Sequence, residues 1–115
     1  MAHVVAVFDD LLLGSNVLGM LRAAGHEARL AGPGDVAVEG VDVLIVDLGS
    51  DGFDGVALVE GLALEGTATL GVYSHVHHEV KVRAEGAGFD LVVPRSRMAR
   101  EGPALVERLA RSSSG

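Results

Sequence analysis

The sequence has no cysteine, which removes disulfides and thiolate metal sites from consideration. Tryptophan is missing too, and the only aromatic residues are Phe8, Phe53, Phe89 and Tyr73. So few rings argue against the stacking platforms that bind single-stranded nucleic acid. Positive charge is also scarce, with nine Lys and Arg against sixteen Asp and Glu and a formal net charge of −7. Phosphate-backbone binding needs basic residues clustered on one face, and here they are scattered, mainly through the last quarter. Direct nucleic-acid binding is not expected. No apolar run approaches the roughly 20 residues of a membrane span, and the N-terminus lacks a signal-peptide pattern. The reading is a soluble cytoplasmic domain with no membrane partner.

What is present is apolar and periodic. Hydrophobic residues make up 49% of the 115, which suits one domain around one core and argues against disorder. The most informative stretch is VDVLIVDLGSDGFDG, residues 41–55. Val43, Leu44, Ile45 and Val46 form a continuous apolar run, as in a strand covered on both faces. The run ends in Asp47 and a Gly-rich acidic loop, after which Asp54 stands at a helix N-cap position. Val56, Val59, Leu62 and Ala63 then repeat at helical spacing and predict a second long helix.

The remaining segments alternate in the same way. Residues 3–8 read as a first buried strand ending in Asp9 and Asp10. Leu13, Val17, Leu21 and Ala24 make a helical stripe stopped by Gly25. A second strand covers 27–31, and 32–40, with Pro33 and three glycines, leaves room for one helical turn at most. Residues 69–73 predict a fourth strand ending at Ser74, followed by a stripe of Val76, Val80, Ala84 and Ala87 closed by Gly86 or Gly88. A fifth strand covers 91–93 and ends at Pro94. Pro103 suits the start of a last helix with Leu105, Val106 and Leu109 inward. The domain spans 1–111, and 112–115 reads as a disordered tail.

Strands alternating with helices imply a parallel sheet covered on both faces, with right-handed crossovers. Sheet order 2-1-3-4-5 would set the tips of the first and third strands side by side, where open α/β sheets bind ligands. Asp9, Asp10 and Asp47 would then share one crevice. Three carboxylates repel one another unless a cation or protons intervene, and hard oxygen ligands of this kind suit Mg²⁺. Asp47 could then attack a phosphoryl donor. The plain structural alternative is that Asp9 or Asp10 caps the first helix and Asp47 faces solvent.

The pattern VAVFDD at the first strand, LIVDLGSDGFDG at the third, VYS at the fourth and GAGFDLVVP at the fifth resembles the receiver domain of two-component response regulators. The resemblance covers almost the whole chain. It implies the flavodoxin-like (CheY-like) three-layer α/β sandwich, from which this chain departs in its shortened second helix. By that resemblance Asp9 and Asp10 match the metal-binding acids, Asp47 the phosphoacceptor and Ser74 the hydroxyl that senses the phosphoryl group. Asp54, Gly55 and Leu58 match the family's DG-x-x-L.

Three positions depart from the pattern. Val93 occupies the place of a lysine before the fifth-strand proline, so a phosphoryl oxygen lacks that partner. Arg95 lies two residues on and could reach back, although guanidinium and ammonium differ in shape. Asp90 stands where an aromatic switch residue is common, and Asp51 where proline is usual. Together they describe a degenerate, or pseudo-, receiver.

Other candidates are weaker. His75, His77, His78 and Glu79 suggest a zinc site, yet no matching ligand cluster occurs elsewhere. His75, directly after Ser74, is placed either to hydrogen-bond Asp47 or a bound phosphate, or to stand solvated in its loop. No G-x-S-x-G elbow, P-loop or Rossmann fingerprint is present. Leu11, Leu12 and Leu13 crowd the mouth of the acid pocket, and any that are exposed would form a partner-docking patch.

Two readings follow, neither of them an enzyme with turnover. In the first, a stand-alone receiver accepts phosphate at Asp47, with Mg²⁺ on Asp9 and Asp10, and relays it from a sensor histidine kinase or phosphotransfer protein to a downstream target. In the second, a pseudo-receiver binds partners independently of phosphate. A homodimer through the last helix and the one before it is the expected mode of self-association. A flavin or nucleotide binder of the same fold is disfavoured by the few aromatics.

Overall fold

The computed structural model describes residues 1–74 and 76–113. Five parallel strands, β1 (His3–Val7), β2 (Glu27–Leu30), β3 (Val43–Asp47), β4 (Ala68–Tyr73) and β5 (Leu91–Pro94), lie in the order β2-β1-β3-β4-β5. This is the flavodoxin-like arrangement expected from the alternation of elements. Every residue of β3 is buried, as its unbroken apolar run requires of a central strand with helices above and below. The register pairs Val7 with Val46, Asp47 with Val72 and Tyr73 with Pro94, so the C-terminal tips of four strands share one edge.

The two faces of the sheet are covered unequally. On one, α1 (Leu11–Ala23) and α4 (Arg95–Ser113) bury Leu21, Met98, Val106 and Leu109 against Ile45, Leu70 and Val93. On the other, α2 (Gly55–Glu60) and α3 (His78–Gly86) cover Leu44, Val46 and Val92. No helix follows β2. The loop over residues 31–40 takes its place, with Val36 and Val38 packed on the second core and Arg29 Nη2 donating to the Ala37 carbonyl at 3.3 Å.

Turn chemistry fixes the helix ends. Gly25 (φ 92°) follows α1 in the left-handed conformation, with His26 N–H bonded to the Leu21 carbonyl and Gly25 N–H to that of Arg22. That is the Schellman pattern, and only glycine adopts such a φ without strain. Gly88 (φ 96°) closes α3 identically, Phe89 N–H reaching the Ala84 carbonyl.

Four expectations are corrected. The helix after β3 is short, not long: it ends at Glu60 with Gly61 as its C-cap, and Leu62 packs from the following turn. Glycines at 61 and 66 bound that turn, and Gly66 (φ 80°) cannot continue a helix. Val76 lies outside α3 and is 70% exposed. The last helix begins at Arg95 rather than Pro103, because Met98 anchors its first half in the core and Gly102 fits against Met20. Pro103 merely deprives the Ala99 carbonyl of its donor within that helix. The helix also runs to Ser113, into the stretch read as a tail, while Ser114 and Gly115 lie outside the described residues. Among the described residues no helix is long and apolar enough to cross a membrane.

Candidate functional site

All four helices begin at the edge where the strands end, so each strand-to-helix turn delivers side chains there. Asp47 closes β3 with its carboxylate almost wholly enclosed, at 1% exposure. An ionised group so placed needs partners, since desolvation penalises the bare charge. It has two. Gly49 N–H donates to Oδ1 at 3.0 Å, and Nη2 of Arg95 lies 3.5 Å from the same oxygen.

Arg95 is the first residue of α4 and follows Pro94 with no loop between, which carries its guanidinium across the strand tips. Its Nε is buried and has no hydrogen-bond partner among the described residues. Gly49 makes the approach possible. A Cβ there would lie 3.3 Å from Arg95 Nη2, 3.6 Å from Asp47 Oδ1 and 3.7 Å from the Ser74 nitrogen. The position expected to hold lysine is Val93, wholly buried in the core with no charge to offer. The cation therefore comes from two residues further on.

The same loop grips Asp9. Ser50 Oγ donates to Asp9 Oδ2 at 2.9 Å and itself accepts the Gly52 N–H at 2.9 Å. A Cβ on Gly52 would come within 2.5 Å of Asp9 Oδ2, so the turn must be glycine for the carboxylate to lie on it. One five-residue loop, 48–52, thus orients both Asp9 and Asp47. Leu48 anchors it, being buried with its N–H on the Val72 carbonyl at 2.8 Å.

Asp10 has a different task. Its Oδ1 accepts the Leu12 and Leu13 N–H groups at 3.0 and 3.1 Å and caps α1. Ser74 stands just beyond β4, half-buried, its carbonyl taking the His77 N–H at 2.8 Å. His75 lies outside the described residues. His77 and His78 are exposed at the start of α3, and His77 makes no side-chain cap.

Among the described residues, no group of three or more His, Asp or Glu is set to hold a metal ion. The trio expected from the sequence is thus not assembled as a closed cage. Magnesium does not require one, because it commonly takes one or two carboxylates and completes its shell with water and phosphate oxygens. Asp9 and Asp47 on neighbouring tips have that donor chemistry, while Asp10 has one oxygen left after capping.

Beside the loop, Asp54 caps α2 by accepting the Ala57 N–H at 3.0 Å, and Arg83 of α3 donates to its other oxygen at 2.7 Å. The Arg83 hydrogen bond, then the backbone N–H, hold the Asp54 carboxyl below its ordinary range. Asp90 is a fastening, not a switch: it accepts Thr69 N–H at 2.8 Å and joins the starts of β4 and β5. Spacing gives no hint of Ser50, Gly49 and Gly52 as supports. The only sign was the small-polar makeup of the loop.

No protein-family model matches the chain, and no curated protein sequence does either. Solved structures do. A response regulator receiver domain protein from Clostridium thermocellum superposes with TM-score 0.87 at 14% identity, over 99% of this chain and 98% of that one. A CheY-like receiver domain protein from Methanospirillum hungatei gives 0.85 at 16%, over 99% and 97%. The fold is that of the receiver domains. NtrX from Brucella abortus, in a complex with ADP, gives 0.86 at 21% identity over 98% of this chain, which spans only 28% of that protein. At such identities the likeness is one of fold. Within that fold, Asp47 closes the third strand, and Asp9 and Asp10 follow the first.

Proposed function

We propose that this chain is a receiver-like signalling domain with Asp47 as phosphoacceptor. The observation that carries the reading is the enclosed Asp47 carboxylate, held by the Gly49 N–H and approached by the Arg95 guanidinium at 3.5 Å. Phosphoryl transfer asks little of a protein beyond positioning and charge stabilisation. An Asp47 oxygen would bond to phosphorus as the donor's P–N or P–O bond breaks, the bonding pair leaving with the donor atom. Asp9 and Asp47 would hold Mg²⁺, which offsets charge developing on the phosphoryl oxygens. Arg95 supplies further positive charge, and its unsatisfied Nε–H is a donor for one of those oxygens. Ser74 stands next in line to follow the group, re-packing the ends of β4 and β5. The domain switches rather than turns over substrate.

The proposed partners are a sensor histidine kinase or phosphotransfer protein and a downstream protein target, in a cytoplasmic setting. Self-association would use α3 and α4. Intact-mass measurement after incubation with Mg²⁺ and a small phosphodonor tests the reading. One phosphoryl adduct is expected on the native chain, and none on Asp47→Asn. An adduct that persists in that variant, or none on the native chain, rejects Asp47 as the acceptor.

A second reading has its own support. Val93 lies in the core where the phosphate-pairing lysine would be, while Leu11 and Leu12 are 70% and 74% exposed beside the acids. A pseudo-receiver that binds partners through such a rim would show no Mg²⁺ affinity and partner binding unchanged by Asp47→Asn.

A further inference from the structure

The opposite edge of the sheet, where the strands begin, carries a group that the proposed signalling role does not use. His26 occupies the last position of the Schellman turn after α1, and its side chain is only 4% exposed. The Ala2 N–H donates to its Nδ1 at 3.1 Å. That bond fixes the tautomer: with Nδ1 accepting, the single proton of the neutral ring is on Nε2. Nε2 is buried without a hydrogen-bond partner among the described residues, and the Glu107 carboxylate of α4 lies just beyond, at 3.5 Å. Both line a recess of about 410 Å³. A metal is a poor occupant, since the nitrogen that faces it already carries a proton.

We infer that His26 is a proton-operated latch that exchanges β1 for α4 as its partner. The neutral ring fastens Ala2, just before β1, whose carbonyl in turn takes the Glu27 N–H at 2.9 Å at the start of β2. A second proton can enter only at Nδ1, where it meets the Ala2 N–H, and two donors cannot share a bond. The ring then carries a full charge, and its Nε2–H becomes a charge-assisted donor to Glu107. The other charged groups at the recess are the Met1 α-amino group, Asp42, on the run into β3, and Arg111 of α4, the last two already engaged, while the turn after α1 contributes only Ala24 and Gly25. The Met1 residue completes the rim. Acid thus frees the start of β1 and draws on α4, whose first residue is Arg95 at the far edge.

Ring ¹⁵N spectra and amide hydrogen exchange of the intact chain, followed as the pH is lowered, test the latch. Above neutrality the ring should show the Nε2–H tautomer with the Ala2 amide protected. As the ring gains charge, the Ala2 protection factor should fall about three- to tenfold, the loss of one hydrogen bond. His26→Asn keeps an acceptor without the titration, and should hold Ala2 protected throughout. An Nδ1–H tautomer, a ring that stays neutral while the fold persists, protection indifferent to ring charge, or the same loss in His26→Asn would each overturn it. The tautomer is read on the unaltered chain, so a variant that fails to fold does not shield the proposal.

Discussion

The two faces of the sheet are built to different standards. The α1 and α4 face has helices of 13 and 19 residues with Leu21, Met98 and Val106 closed from solvent. The α2 and α3 face has helices of 6 and 9 residues, Ala84 is the only fully buried residue of α3, and a loop stands in for the helix after β2. Val56, Val59 and Ala84 pack on the sheet there, and one exposed ion pair, Arg83 with Asp54, ties α3 to the start of α2. Yet α2 follows Asp47 and α3 follows Ser74, so the thin face too is joined to the proposed phosphoryl site. Rearrangement there costs less than on the thick face, which makes it the natural place for a local charge to become a change of shape.

Substitutions sharpen this contrast, starting with the largest effect. Leu21→Ala, on the thick face, should lower the unfolding free energy by about 2–5 kcal/mol in a urea titration. If Leu62→Ala on the thin face costs as much, the faces are not unequal. Gly55→Ala comes next. Its Cβ would sit 2.7 Å from Val46 Cγ1 and 3.1 Å from the Asp47 carbonyl. Overpacking of about 1–3 kcal/mol should outweigh the better helix propensity of alanine and disturb Asp47 as well. An unchanged midpoint would show that α2 can simply move away.

Asp54→Ala removes the α2 cap and should cost about 1 kcal/mol. The pH dependence has a definite sign. Because the folded state holds the Asp54 carboxyl below its ordinary value, its contribution is complete above the usual carboxylate range. It disappears as pH falls through the lowered folded value. Stability of the native chain and of Asp54→Ala should therefore converge in acid and differ near neutrality. The smallest effect is expected from Arg83→Gln, whose pair is half-exposed, and added salt should shrink it further. A larger loss than for Asp54→Ala would mean that Arg83 has a role beyond the cap.

Much of this was legible from residue order. The unbroken run at 43–46, the acids after the first and third runs and Gly25 gave the sheet, its order and the shared edge. The local signals agreed there with the tertiary fold. The errors came where punctuation misled. Gly102-Pro103 reads as a boundary, but burial of Met98 extends the helix back to Arg95. Leu62 keeps the helical period although Gly61 has already ended α2. At the site, the positions of Asp47 and Asp9 could be read because strand ends are set by periodicity. The supports could not: Ser50 on Asp9 and Gly49 beneath Arg95 depend on loop geometry that no spacing rule encodes.

Amide NMR of the native chain with Mg²⁺ and beryllium fluoride, a phosphoryl mimic, tests the central claim most directly. The account expects the largest shifts at Asp47, Gly49, Gly52, Ser74 and Arg95, spreading into α2 and α3 more than α1, and none of them in Asp47→Asn. Unchanged spectra, or the same shifts in Asp47→Asn, would contradict it.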